Sequence, residues 1–232
     1  MAKWEFLLDW ALLRFLLGGL GLTLQVATEA IVLSTLLGTG LALLRLSPRP
    51  ILRLPALTYI EVVRSLPSFL VVVYAFFAAG RLGFELSVPT SVVAGLSLYA
   101  ASLNAEIIRA GIRSIERGQL EAAYASGLGP RQTFIHIVLP QAIRRMAPAL
   151  ASQFVTLTKS TSYGAVIGLH EVLRRGVIIY SRYFNPVEVL AVIGLTYFLL
   201  CTGLSALVAL LERQPGARRV AATRVPRREE LD

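Results

Sequence analysis

Apolar residues in this chain come in blocks about as long as a bilayer is thick, and nothing else in it narrows the possible folds so far. A helix needs about 20 predominantly apolar residues to cross the hydrocarbon core. Five stretches have that length: 20–44, 54–79, 90–111, 146–168 and 189–211. Lipid offers no partners to backbone N–H and C=O groups, so such stretches are expected as helices that satisfy themselves. Only 16% of the 232 residues are charged, where a soluble domain carries about a quarter. The expected fold class is an all-α membrane protein with five transmembrane helices, occupying residues 20–212.

The net charge of +9 would suit a nucleic-acid binder if the basic residues shared one soluble face. They sort by loop instead. Fifteen of the 23 Lys and Arg residues fall in the first inter-span loop, the long third one and the C-terminal tail, and six fall on the opposite side. Positive charge is enriched in cytoplasmic loops, so the N-terminus is expected outside and the C-terminus inside, N-out/C-in. The basicity is topological, and no nucleic acid is expected as a partner. Residues 1–19, with Trp4 and Trp10, read as an interfacial helix on the outer surface, and 213–232 as a basic cytoplasmic tail facing anionic lipid. The lone Cys201 excludes an intrachain disulfide.

Between the third and fourth stretches lies EAAYASGLGPRQTFIHIVLP, residues 121–140. A helix is expected over about 119–127, too short to span, stopped by Gly127 and separated by Gly129-Pro130 from a second helix that starts at the proline. Ala122 and Ala123 give it a shallow surface for another protein's backbone, and Glu121 offers a charge near its start. Either it is an ordinary connector, or it is a peg for a cytoplasmic partner.

Ionisable groups within membrane stretches are costly and are functional candidates by default. Counted at about 1.5 Å per residue, Glu29 and Arg64 both fall roughly 13 to 15 Å deep, near the midplane. Arg64 either pairs with Glu29 or meets a solute carboxylate. Pro67 is expected to bend the second stretch and free a carbonyl. Lys159, Ser160 and Thr161 form a polar patch in the fourth stretch; its hydroxyls either bond their own helix or face a translocation path. Glu106 is expected to pair locally with Arg109, and Glu61 with Arg64. Asn185, Pro186 and Glu188 mark the start of the last helix.

Catalytic readings find no support in the residues. No G-x-x-x-x-G-K-[ST] is present, so nucleotide hydrolysis is not expected of this chain. His136 and His170 sit in no metal-ligand pattern. Gly95-Leu96-Ser97-Leu98 has no histidine at matching depth to activate its serine. A free-standing secondary transporter or channel would not need the helix at 119–127.

The spacing from Glu121-Ala122-Ala123 through Gly127 to Ile137 and Leu139-Pro140 resembles the EAA loop of permeases in ATP-binding-cassette importers, and the flanking segments resemble the polar amino-acid branch. EVVRSLPSF is similar to that branch's Arg-Gly-Thr-Pro stretch, with Ser65-Leu66 in place of Gly-Thr. Ser160 stands where many relatives have Asp, Tyr99 where many have Asn, and His170 where many have Pro. The resemblance implies a five-helix permease subunit in the bacterial cytoplasmic membrane, paired with a second permease. It also implies two ATPase subunits docked on the coupling helix through Glu121, Ala122, Ala123 and Gly127. An extracytoplasmic binding protein would deliver the solute, and ATP would be held by the partner subunits, leaving no cofactor in this chain.

Overall fold

The computed structural model describes Trp4 and residues 9–212, so the basic tail over 213–232 lies outside the described residues. Every regular element among them is helical. α1 (Trp10–Leu46) opens where Asp9 Oδ1 accepts a hydrogen bond from Ala11 N at 2.8 Å. No break occurs at residue 19. Residues 10–19, expected in an interfacial helix, are the first turns of α1, and Gly18 and Gly19 stay within the helix, Gly19 close against the backbone of Glu171 and Val172.

α2 (Pro50–Ser65) and α3 (Ser68–Arg81) bend by 109° at the break between them. Pro67 carries no N–H and pushes the residue before it out of the helical region; Leu66 is extended at φ −86°, ψ 146°. α4 (Val88–Arg113) follows a short turn, capped by Ser87, whose hydroxyl accepts from Thr90 N. Two short helices come next, α5 (Arg117–Ala125) and α6 (Pro130–Thr133), then a π turn over Phe134–Val138 leading into α7 (Leu139–Ser160). Pro140 explains the π turn. It has no N–H to donate to the carbonyl four residues back, and its ring would clash there; widening by one residue lets Leu139 N bond Phe134 O instead.

α7 ends in a 3-10 helix, Thr161–Ile167. Among the described residues, α1, α4 and α9 (Pro186–Glu212) are each long and apolar enough to cross a membrane, with α2 and α3 a fourth candidate taken as one broken span. The fourth stretch, expected over 146–168, is shared between the end of α7 and the 3-10 helix. The start of α7 is spent on Gln141, Arg144 and Arg145. A further helix, α8 (Val172–Tyr183), lies between the 3-10 helix and α9.

Packing fixes the direction of each pass. Along α1 and α4 the partners rise together: Ser97 Oγ reaches Ala30 O, Gly38 meets Ala101 and Asn104, and Arg45 meets Glu106. The two helices are therefore parallel, so α2 and α3 must carry the chain back to the end where α1 began. α7 runs antiparallel to α4, from Met146 beside Gly111 to Leu157 in the cluster with Val92, Val93 and Leu96. α9 starts beside Leu16 and reaches Glu171 at Tyr197, running with α1. Among the described residues α1, α4 and α9 thus run one way and α7 the other. α8 sits at the end where α1 starts, and α5 sits at the other.

Close approach depends on glycine at particular points. A Cβ on Gly95 would lie 2.6 Å from Val72 Cα, and one on Gly38 would lie 2.7 Å from Asn104 Cβ. Small residues let membrane helices pack backbone to backbone where lipid gives no hydrophobic drive to associate. The Gly95–Leu98 segment is such a contact, with Ser97 buried against α1.

Candidate functional site

α5 lies at one end of the bundle, packed chiefly against α6 and the π turn, with most of its surface exposed. It runs from Arg117 to Ala125, two residues earlier than the expected 119–127. Its stop is the expected one: Gly127 takes φ +79°, where a side chain would crowd the backbone. Gly127 N donates to Tyr124 O at 2.9 Å and Leu128 N to Ala123 O at 3.1 Å, the paired bonds of a Schellman cap. Gln132 Oε1 accepts from Gly129 N at 3.0 Å as α6 starts at Pro130. Of the four expected contact residues, Glu121, Ala122 and Gly127 are exposed. Ala123 is buried and holds α5 to the bundle side. Because the helix begins early, Glu121 lies in its second turn, outside the first-turn reach of the helix dipole; it is an exposed carboxylate beside the small Ala122.

The tentative path residues part company. Arg64 does not meet Glu29. Its Nη1 lies 3.6 Å from Glu106 Oε2, because the 109° bend makes depth counted along a straight second span meaningless. Glu106 also pairs with Arg109, at 2.9 and 3.2 Å, and with Arg45, which in turn lies 3.5 Å from Glu61. Five charged side chains from α1, α2 and α4 therefore form one network near the α5 end. The local Glu106–Arg109 pair was legible from spacing, whereas Arg45 and Arg64 arrive only through packing.

Glu29 is exposed, accepting from Gln25 Nε2 at 3.0 Å. Lys159 is exposed and Ser160 half-buried, with its hydroxyl donating to Thr156 O at 3.0 Å. Thr161 is fully buried and donates to Thr158 O at 2.8 Å. It faces the bundle interior near Tyr197, so it cannot line an open path on this subunit. Pro67 is exposed at the break between α2 and α3.

A second polar cluster had no signal in the sequence. Glu171, fully buried, caps α8 by accepting from Leu173 N and Arg174 N, both at 2.8 Å, and takes the Tyr197 hydroxyl at 2.7 Å. Thr23 joins α1 to it through Val172 N at 3.4 Å. The fold makes Glu171 the pin between α1, α8 and α9.

Among the described residues, helices of membrane length with a short exposed helix at one end define a multi-pass membrane protein. The family model for "Binding-protein-dependent transport system inner membrane component" matches residues 30–215. The chain belongs to this family of ATP-binding-cassette permeases, in which ATP hydrolysis lies with a separate subunit. It is 38% identical over 205 residues to the probable glutamine ABC transporter permease protein GlnP of Bacillus subtilis (strain 168), covering 86% of this chain and 93% of that protein. It is 36% identical over 211 residues to the glutamate/aspartate import permease protein GltK of Escherichia coli O157:H7, covering 87% and 94%. A crystal structure of an amino acid ABC transporter with histidines superposes with a TM-score of 0.82 at 30% identity, covering 86% of this chain and 94% of that one.

Proposed function

We propose that this chain forms half of the translocation pathway of an importer for a polar amino acid, with five membrane crossings, N-out/C-in. The crossings are α1, the α2–α3 pair, α4, α7 with its 3-10 extension, and α9. At about 1.5 Å per α-helical residue and about 2.0 Å per 3-10 residue, 146–167 has a contour of roughly 36 Å, enough for the fourth crossing. The loops at the α5 end carry the basic excess, which supports a cytoplasmic α5. The observation that carries the reading is the exposed, Schellman-capped α5 with the Glu121-Ala122-Ala123 signature.

Two ATPase subunits dock on the α5 helices of two permeases, meeting Glu121 and Ala122, with Gly127 setting where the helix ends. An extracytoplasmic binding protein delivers the solute at the α8 end. Glu29, midway along α1, and Lys159, in the last turn of α7 where the 3-10 helix takes over, are exposed on the single subunit. Charges so placed in membrane proteins face water-filled cavities or partner subunits, so both, with Ser160, are assigned to the path between the two permeases. Arg64 is assigned to the Glu106 network instead, and Pro67 to the break.

The test is reconstitution of the chain with its ATPase and binding protein in proteoliposomes, offering radiolabelled glutamine, glutamate, aspartate, histidine and arginine. ATP-dependent uptake of one of them is expected, abolished by Glu121→Lys. Full-rate uptake without the ATPase would refute the proposal in favour of a secondary transporter.

A further inference from the structure

α5 packs chiefly against α6 and the π turn. A push on it therefore reaches the bundle through the two chain segments that hold it: residues 114–116 back to α4, and residues 126–138 on to α7. One side chain bridges these two routes. Arg145, on the second turn of α7, donates from Nη1 to the backbone carbonyl of Ser114 and lies 3.4 Å from its Oγ. Ser114 is the C-terminal cap residue of α4, and its N–H bonds Ala110 O. Carbonyls at a helix C-terminus lack intrahelical donors and carry the negative end of the helix dipole, so a guanidinium is well placed there. Just inside this contact the helices touch closely: a Cβ on Gly111 would sit 3.0 Å from Met146 Cβ and 3.4 Å from Ala142 O. Ile115 and Thr133 are buried at the two roots of the segment.

We infer that Arg145 is a positioning residue for coupling: it ties the C-terminus of α4 to α7 so that displacement of α5 moves both helices as one body. This rests on the reading of α5 as the ATPase contact and adds to it the element that makes the contact productive. Without the tie, α5 can swing on its two roots, and ATP is hydrolysed with less solute moved. Neither Arg145 nor Ser114 belongs to the expected contact surface, so ATPase binding is left intact.

The experiment has two readouts on the full chain. Spin labels at the exposed positions Gln119 and Ile143, in a Cys201→Ser background, report the α5–α7 distance distribution without any partner; Arg145→Ala is expected to broaden it and Arg145→Lys to restore most of the narrowness. In proteoliposomes with the ATPase and binding protein, and with the amino acid that gives the highest uptake, solute moved per ATP is expected to fall roughly fivefold in Arg145→Ala, the scale of one solvent-discounted charged hydrogen bond. Arg145→Lys should recover most of that loss, and Ser114→Ala should change little because the acceptor is backbone. An unchanged distance distribution, or uptake per ATP equal to wild type in both Arg145→Ala and Arg145→Gln, overturns the inference. Loss of assembly in both variants overturns it too, since it assigns Arg145 no role in holding the complex together. A wild-type chain that binds no ATPase would sink the functional reading alone, while the spin-label result still judges the tie.

Discussion

Replacing Glu106 by Gln is the sharpest test of how the α5 end of the bundle is held. The carboxylate stands among three guanidiniums, Arg45, Arg64 and Arg109, with only Glu61 as a second acid. Its side chain is 19% accessible, and those of Arg45 and Arg109 are 17% and 21%, so solvent screens these pairs only in part. Breaking a buried pair by removing one partner costs about 3–5 kcal/mol; partial exposure brings Glu106→Gln to about 2–4 kcal/mol. Arg45→Ala should cost less, about 1 kcal/mol. It leaves the carboxylate two cations and relieves repulsion from Arg109 and Arg64, both within electrostatic reach of Arg45. Arg64→Ala should cost least, because that side chain is 39% accessible and its contact is the longest at 3.6 Å. At about 2–4 °C per kcal/mol for a domain of this size, Glu106→Gln should lower the midpoint of thermal aggregation in detergent by roughly 10 °C. The assay is size-exclusion recovery after heating, run on all three variants. Equal losses for Glu106→Gln and Arg45→Ala, or no loss for Glu106→Gln, would refute the view that one acid organises three bases.

Gly127 has open space around it, so substitutions there are felt through the backbone alone; ATPase co-purification should fall in the order Gly, Asn, Ala, Val, with Ala costing about 1–2 kcal/mol of local α5 order. Gly95→Val should lower the thermal midpoint far more than Gly21→Val, because the first drives a side chain into the Val72 backbone and the second meets nothing within 4 Å; equal effects would remove the close-packing argument.

Much of this molecule could be read before any coordinates. Block length announced membrane helices, Pro67 announced a break, and Gly127 with Gly129-Pro130 announced where α5 ends and α6 begins. These are local properties: a missing N–H, a left-handed φ, or a run of side chains that water rejects acts on the residues that carry it. The π turn escaped notice, although Pro140 was its signal, because a proline entering a helix reads equally well as an ordinary start.

What was misjudged involved partners far apart in the chain. Arg64 lies opposite Glu29 only if the second stretch is one straight span; with the chain bent by 109° after it, α2 packs against α1 and α4 and Arg64 reaches Glu106. Thr161, expected in the polar patch with Lys159 and Ser160, is buried where the 3-10 helix begins, and Glu171 is buried under Tyr197 once α8 forms. The amino-acid order alone determined that the chain is built from membrane-length helices, that Pro67 and Gly127 interrupt its helical runs, and that a short helix carries Glu121-Ala122-Ala123, since each follows from covalent geometry or from transfer out of water. Which charges neutralise one another, which hydroxyls are sealed away and which helices pack together were decided by the tertiary structure, because those energies depend on distances between residues that the chain keeps far apart until it folds.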